Sequence, residues 1–220
     1  AEAYTVLSQA CQTFKKEFRP CLELAALAHR KTLTEDVRRI AQDVMVRNPD
    51  RDAVVSLFHL LYKDSTALPF LEGIVARYPT DPEIRAHLGH VYAGNQQWVS
   101  AARLFEDATA LGGQYAFEAA DQYRMAGRYR HALRMNGRVP SSRRQATQRV
   151  AILFEQRQYA RIVAMDSSFD DPGSNYRVAY SHYAVGDYAG ALKRARALLE
   201  TSYQDEAAAL LRAMEREQTR

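Results

Sequence analysis

The sequence predicts an all-α fold, an α-solenoid of about six helical hairpins flanked by an N-terminal and a C-terminal helix. Three observations support this prediction. Apolar residues recur at spacings of three and four along most of the 220 residues, as they do on one face of a helix. The seven prolines and ten glycines punctuate these periodic segments and do not form a long linker. The strict alternation that is typical of a half-buried strand is scarce.

The clearest hairpin covers residues 82–113. The residues that share one face of its first helix are Leu88, Gly89 and Tyr92. The residues that share one face of its second helix are Ala101, Phe105 and Ala108. Gly94 and Asn95 lie between the two helices, where residues of these types favour a break.

This hairpin resembles the tetratricopeptide repeat (TPR), whose pattern is W-x2-L-G-x2-Y in the first helix and A-x3-F followed by A in the second. One departure is Arg85, which stands where the pattern has Trp. The resemblance, to a divergent bacterial type of repeat, covers about residues 20–200 and is strongest at 82–113 and 174–200. It implies a right-handed superhelix of stacked hairpins that binds other proteins.

The first elements follow from the same periodicity. Residues 1–18 are predicted to form an amphipathic N-terminal helix. Its apolar side consists of Tyr4, Leu7, Cys11, Phe14 and Phe18. Pro20 begins the first pair, and the second helix of this pair is predicted to start after an N-cap at Thr34. Glu35 and Asp36 follow, where acidic side chains complement the helix dipole.

The second pair is predicted to run from Arg51 to Tyr78. Pro69 falls in the first turn of its second helix, where proline is tolerated. The fourth pair has a Gly-x-aromatic turn at residues 127–129. Its second helix is predicted to be short, because Asn136 and Gly137 form a C-cap.

The remaining elements complete one predicted domain, with the six pairs at 20–202. The fifth pair is weakly patterned, and its second helix is predicted to stop near Met165. The sixth pair is clear again, and residues 203–220 form a C-terminal capping helix with a polar end. The turn aromatics are Trp98, Tyr129, Tyr159 and Tyr188. They are 31, 30 and 29 residues apart, and a period below the usual 34 fits short second helices.

Charge and hydropathy restrict the function classes. The net charge is +4 and uneven, since residues 1–110 carry 13 basic and 14 acidic side chains and residues 111–220 carry 17 and 12. No apolar run approaches the roughly 18 residues of a membrane helix, and no signal peptide is visible. We therefore expect a soluble protein of the cytoplasm or the periplasm.

Cys11 and Cys21 are the two cysteines, and they do not form a Cys-x-x-Cys motif. A bridge requires that their Cα atoms lie within about 7 Å of each other. Because Cys11 lies inside a predicted helix and Cys21 lies beyond a turn, the sequence favours two small buried hydrophobic side chains over a disulfide.

No catalytic constellation, nucleotide-binding loop or cofactor motif is recognisable, so we predict a protein that is not an enzyme and has no cofactor. His87 and His90 lie three apart on one predicted helix. A metal pair there would need further ligands that the sequence does not supply, so ordinary surface or groove histidines are favoured.

The resemblance implies a binding groove, because the first helix of each pair lines the concave side of such solenoids. The predicted groove residues are His59, His90, Asp121, Arg124, Phe154, Tyr176, Tyr180 and Tyr183, with Ser56, His29 and Arg30 as further members. The tyrosines at 176, 180 and 183 share one helical face, and tyrosine is an efficient contact residue. The alternative is that some of them pack against the last helices.

A second candidate surface is basic. Between Arg124 and Arg161 the chain has ten arginines and one acidic residue, Glu155. The arginines near predicted turns are Arg128, Arg138, Arg143 and Arg144. Arginine side chains suit carboxylate or phosphate groups. The alternatives are a solvated face, an acidic protein or an anionic polymer; nucleic acid is disfavoured because no stacking aromatics interleave with the arginines in a recognisable motif.

Two functions are therefore expected. The first is a non-enzymatic scaffold that binds a peptide or a partner helix in the groove. The alternative, which is implied by the resemblance to bacterial repeat proteins, is an accessory scaffold of bacterial envelope assembly or polysaccharide export, with the arginine-rich face on an acidic partner. The oligomeric state is not predicted.

Overall fold

The computed structural model describes residues 2–62, 64–165 and 169–218. Within these ranges the chain forms fourteen α-helices and one short 3₁₀ helix, without strands, so the predicted all-α fold is confirmed. None of the described helices combines the length and the apolar character that are needed to cross a membrane.

The helices follow one another in the predicted order, with twelve α-helices between α1 and α14 in the described residues. The bounds are α1 Glu2–Thr13, α2 Arg19–Arg30, α3 Thr34–Val46, α4 Arg51–Leu61, α5 Leu68–Arg77, α6 Pro82–Gly94, α7 Trp98–Ala110, α8 Ala116–Met125, α9 Tyr129–Asn136, α10 Arg143–Glu155, α11 Tyr159–Val163, α12 Pro172–Ala184, α13 Tyr188–Arg196 and α14 Gln204–Gln218. The 3₁₀ helix, Ser65–Ala67, precedes α5.

The chain divides into two compact units, an N-terminal unit Ala1–Gln122 and a C-terminal unit Tyr123–Arg220. The N-terminal unit has a continuous apolar core that includes Leu24, Phe58 and Val91. The buried residues of the C-terminal unit form clusters around α10–α12 and around α12–α14. Each unit therefore contains apolar cores of its own, which is consistent with a repeat architecture.

Aspartates fix the starts of several first helices. The Asp81 carboxylate accepts hydrogen bonds from the backbone N–H groups of Glu83 and Ile84 at 2.9 and 3.0 Å. The Asp171 carboxylate does the same for Gly173 and Ser174. In both helices a proline occupies the first turn, where its missing N–H group costs nothing.

The third pair has the predicted internal packing. Leu88 and Phe105 are buried, and Gly89 faces the Phe105 ring. Arg85, at the position of the consensus Trp, donates to the Pro79 carbonyl oxygen at 2.8 Å. The second helices α9 and α11 are short, with 8 and 5 residues, as predicted.

The predicted extent of the N-terminal helix was wrong, because α1 ends at Thr13 and residues 14–18 form a turn. Phe14 is consequently 52% exposed. A helix continued to Phe18 would carry the chain about 10 Å beyond Cys11. The chain instead reverses, because Cys11 and Cys21 have Cα atoms 4.7 Å apart.

The prediction of two unbridged cysteines was also wrong: Cys11 and Cys21 form a disulfide. Both residues are buried, and the bond joins the end of α1 to the start of α2. Arg47, at the end of α3, donates from Nη1 to the Cys11 carbonyl oxygen at 2.9 Å. The bridge was missed because the turn that brings the two cysteines together was predicted as helix.

The predicted N-cap at Thr34 was wrong by one residue, since the N-cap of α3 is Leu33 and Thr34 is already helical. The Leu33 backbone N–H donates to the Ala28 carbonyl oxygen at 2.9 Å, which holds the connection tightly against α2. Glu35 and Asp36 do lie in the first turn, where their charges complement the helix dipole.

Candidate functional site

Three tyrosines on α12 form the centre of the candidate site. Tyr176, Tyr180 and Tyr183 recur at spacings of four and three, so one face of the helix carries all three rings. The side chain of Asp171 caps this helix at its start. The three rings are therefore presented by a regular helix, which favours fixed positions.

The three tyrosines belong to a larger cluster, which we call the aromatic array. Its members are Phe154, Tyr159, Tyr176, Tyr180, Tyr183, Tyr188 and Tyr203. Tyr180 lies at its centre, with its ring centroid 5.5 Å from Phe154 and 5.7 Å from Tyr159. Its distances to Tyr176 and Tyr183 are 6.4 and 6.1 Å. These separations are those of favourable aromatic pairs.

Every ring of the array is half-buried. Tyr176, Tyr180, Tyr183 and Tyr188 pack against the apolar cluster of α12–α14, and Phe154 packs against the neighbouring cluster. Two alternatives were predicted for the tyrosines, exposure in the groove and packing against the last helices. The array combines them, since one side of it joins the core and part of each ring remains accessible. Tyr176 also stacks on Tyr203, another member of the array, with 5.7 Å between the ring centroids.

The tyrosine hydroxyls of the array are available for hydrogen bonds with a ligand. Within the described parts of the chain, none of these six hydroxyls forms a hydrogen bond with another residue. Burial raises the pKa of Tyr176, and the neighbouring Tyr180 and Glu206 raise it further. This hydroxyl is therefore protonated near neutral pH and can donate a hydrogen bond to a ligand.

Four members of the array were predicted as groove residues, and three were not. Tyr159 and Tyr188 are predicted turn aromatics, and their regular spacing relates them to the helix pairs. Tyr203 lies just before α14 and has no such signal. Its position depends on how the chain returns after α13, and the spacing of apolar residues in the sequence does not predict this.

An ion pair borders the array. Arg124, at the end of α8, donates from Nη1 to Glu155 Oε1 at 2.6 Å, and Glu155 directly follows Phe154 in α10. Arg124 was predicted as a charged groove residue and is half-buried in this ion pair. Asp121 lies on the same helix, α8, and is also half-buried.

The predicted basic residues are all exposed but occupy different places. Arg128 immediately precedes α9, whereas Arg138 follows it. A helix of 8 residues separates them by about 12 Å. Arg143 and Arg144 begin α10, and Arg143 forms an ion pair with the exposed Asp170. The structure therefore groups Arg138 with the start of α10 and places Arg128 at the other end of α9.

The predicted histidines form a separate cluster in the N-terminal unit. The His87 ring lies 5.1 Å from His59 and 6.5 Å from His90, measured between centroids. Burial lowers the pKa of His87, with a smaller contribution from His59, and burial also lowers the pKa of His90. Both imidazoles are therefore mainly neutral at pH 7.

The histidine cluster does not assemble a metal site in this geometry. In the parts of the chain that the structure describes, the one grouping of three potential ligands is Cys11, Cys21 and Asp43. Two of these are joined in the disulfide, so they do not offer thiolates. His87 Nε2 is buried and makes no hydrogen bond, while Glu83 Oε1 lies 3.9 Å away.

A small cavity of about 240 Å³ lies in the N-terminal unit and is lined by His29, a predicted groove residue. Its other polar lining includes Thr32, Thr34 and Asp64. Asp64 is already engaged, since its carboxylate accepts from Arg38 Nε at 2.7 Å. The aromatic array offers more uncommitted hydrogen-bonding groups than this cavity and is the stronger candidate for binding.

The sequence matches no protein-family model and no curated protein.

Proposed function

We propose that this chain is a non-enzymatic, TPR-like scaffold that binds a peptide or a partner helix on the aromatic array. The observation that carries this proposal is the set of half-buried rings around Tyr180, whose tyrosine hydroxyls form no hydrogen bond within the described residues. Exposed ring surface contributes apolar contact area, and the hydroxyls donate to backbone carbonyl oxygens of a ligand.

Mutual packing supports the proposal further. Each ring of the array contacts at least one other ring, so its rotamer is restricted before a ligand arrives. Ordering an interface side chain costs about 0.5–1.5 kcal/mol, and a ring that is already held avoids most of that cost. Rigid tyrosines of this kind are enriched among the residues that dominate binding energy.

The test is capture of partners by the purified chain, followed by affinity measurement with each captured partner. The variant Tyr176→Ala with Tyr180→Ala is expected to weaken binding about 30-fold or more, since two central contact residues each contribute about 1–2 kcal/mol. The matched control is Tyr62→Ala, because Tyr62 is an exposed tyrosine outside the array. It should bind like the wild type.

Folding of the double alanine variant is checked by far-UV circular dichroism. If its helicity is reduced, the variant Tyr176→Phe with Tyr180→Phe replaces it, since both rings stay and only the hydroxyls are lost. This variant should still weaken binding several-fold, as the loss of two hydrogen bonds predicts. A partner that binds wild type and both double variants equally would disprove a role of the array.

The second candidate is an accessory scaffold of bacterial envelope assembly or polysaccharide export that binds an acidic ligand. The observation that favours it is the excess of arginine between residues 124 and 161, where the single acidic residue is held by Arg124. Binding through exposed arginines would weaken steeply with salt. Binding dominated by the aromatic array would depend on salt much less, so a salt titration separates the two candidates.

A further inference from the structure

One edge of the aromatic array is bordered by basic turns. The Arg124–Glu155 ion pair places the C-terminal ends of α8 and α10 side by side. Each end leads into a tight turn: the Arg128 N–H donates to the Tyr123 carbonyl oxygen, and the Arg157 N–H donates to that of Phe154. Arg157 therefore lies in the turn that leads to Tyr159, and Arg128 lies in the turn that follows the neighbouring end of α8.

The charge at this edge is not neutralised internally. Arg128 and Arg157 are exposed, and neither forms an ion pair with any residue in the described ranges. Arg161, two residues beyond Tyr159, is also exposed and donates to Gln158 rather than to an acid. Arg157 and Arg161 thus flank Tyr159 at one end of the array, Arg128 lies in the adjoining turn, and exposed arginines of this kind favour carboxylate groups of a ligand.

Two acidic residues lie at the opposite end of the array. Tyr203 immediately precedes α14, whose first turn contains Asp205 and Glu206. Glu206 lies close enough to Tyr176 to act on it electrostatically. An acidic group of a ligand is therefore favoured at the Tyr159 end and disfavoured at the Tyr203 end.

From this charge distribution we infer that the ligand of the aromatic array is an acidic peptide. Its apolar side chains lie on the rings, and its carboxylates contact Arg128, Arg157 and Arg161. This inference rests on the proposed binding function and specifies the ligand. A polyanion without apolar groups would use the arginines but leave the rings unused, whereas an acidic peptide uses both.

The experiment uses the full chain and two synthetic helix-forming peptides of about five turns. Both carry the same stripe of Leu and Phe. One has Glu at the positions that flank the stripe, and the other has Gln. Heparin serves as the polyanion without apolar groups. Dissociation constants are measured by fluorescence anisotropy at low and at physiological salt.

The Glu peptide should bind about tenfold more tightly than the Gln peptide at low salt, as three exposed ion pairs together predict. The variant Arg157→Glu with Arg161→Glu should abolish this preference. The matched control, Lys193→Glu with Arg196→Glu, makes the same charge change at exposed positions of α13 and should retain it. Tyr180→Ala should weaken both peptides.

Three results would overturn the inference. If the two peptides bind with equal affinity and Tyr180→Ala abolishes the binding of both, the ligand has no preference for acidic residues. The proposed function then still stands. If Tyr180→Ala leaves peptide binding unchanged, both the inference and the proposed function are wrong. If heparin binds and responds to Arg157→Glu with Arg161→Glu, while the Glu peptide does not bind, the ligand is an anionic polymer and not a peptide.

Discussion

Gly73 and Gly89 both lie inside helices, but their surroundings differ. A Cβ atom at Gly73 would meet nothing within 4 Å, whereas one at Gly89 would lie 3.0 Å from the Phe105 ring. Phe105 is fully buried, so its ring has little room to move. The glycine at 89 is therefore required by close helix packing, and the glycine at 73 is not.

The same substitution at these two glycines should have opposite effects on stability. Gly73→Ala should increase the free energy of unfolding by about 0.5–1 kcal/mol, because alanine is the better helix former. Gly89→Ala should decrease it by about 1 kcal/mol, because overpacking of the buried ring outweighs that gain. Urea denaturation measures both, and each variant is the control for the other. A stabilised Gly89→Ala protein would show that α6 and α7 separate readily.

The histidine cluster should make stability depend on pH. The pKa values of His87 and His90 are lowered in the folded state from the ordinary 6.5, mainly by burial. The unfolded chain therefore binds more protons than the folded chain as the pH falls below about 6.5. Stability should be highest above that pH, decrease as the pH falls through 6.5, and level off below the folded-state pKa values.

Urea midpoints at pH 7.5, 6.5 and 5.5 test this dependence. The variant His87→Gln with His90→Gln should show a smaller decrease between pH 7.5 and 5.5 than the wild type. His29→Gln is the matched control, because His29 is exposed on α2. If the stability of the wild type and of the double variant depends on pH in the same way, the two imidazoles are not responsible for the pH dependence.

Helix α1 is held to the N-terminal unit by a covalent bond as well as by packing. Its buried Cys11 is bridged to Cys21, and Tyr4 donates from its hydroxyl to Asp36 Oδ2 at 2.8 Å. Most of the α1 surface is otherwise exposed, and Val6 is 62% exposed. The disulfide is therefore expected to contribute a large share of the stability of this element.

Removal of the bridge should reduce stability by about 2–4 kcal/mol, because the unfolded chain regains the freedom that the bond had removed. The variant is Cys11→Ala with Cys21→Ala, and the measurement is urea denaturation followed by Trp98 fluorescence. Trp98 is the single tryptophan and lies in the N-terminal unit. Val6→Ala on the same helix is the control and should change little. An unaltered midpoint in the double alanine variant would show that packing alone holds α1.

Some element boundaries could not be predicted from spacing. The apolar period of α1 continues from Cys11 through Phe14 to Phe18, although the helix ends at Thr13. The signal that ends it is the chain reversal to Cys21, which is a tertiary constraint. The positions of α6 and α12 were predicted well because capping aspartates, first-turn prolines and apolar periodicity coincide there, and α7 was predicted from its apolar periodicity.

For the candidate site, too, some features could be predicted from the sequence and others could not. Tyr176, Tyr180 and Tyr183 were placed on one face correctly, since their spacing within one helix determines this. Their contacts with Tyr159 and Tyr203 depend on how separate elements pack, and one-dimensional spacing does not contain that information. Arg124 was identified by its position on α8, but its partner Glu155 is 31 residues away.

In the whole molecule, charge and apolar packing are distributed differently. Both compact units have apolar cores, whereas the arginine-rich segment lies in the C-terminal unit alone. Repeat proteins tolerate such asymmetry, because their stability comes from neighbouring elements and not from a single centre. The N-terminal unit carries 13 basic and 16 acidic side chains and the C-terminal unit carries 17 and 10, so the two units have net charges of opposite sign. The prediction of one domain over residues 1–220 stays a prediction.

The Cys11–Cys21 bond also has a mechanical consequence. A pulling force applied to α1 would pass directly from Cys11 to Cys21 through the covalent link, so residues 12–20 between them would bear no load. Such a force would instead be transmitted to the helices that follow Cys21. The turn between α1 and α2 is therefore protected from extension, whereas residues 2–10 of α1, which precede the bridge, can still be pulled away from their packing.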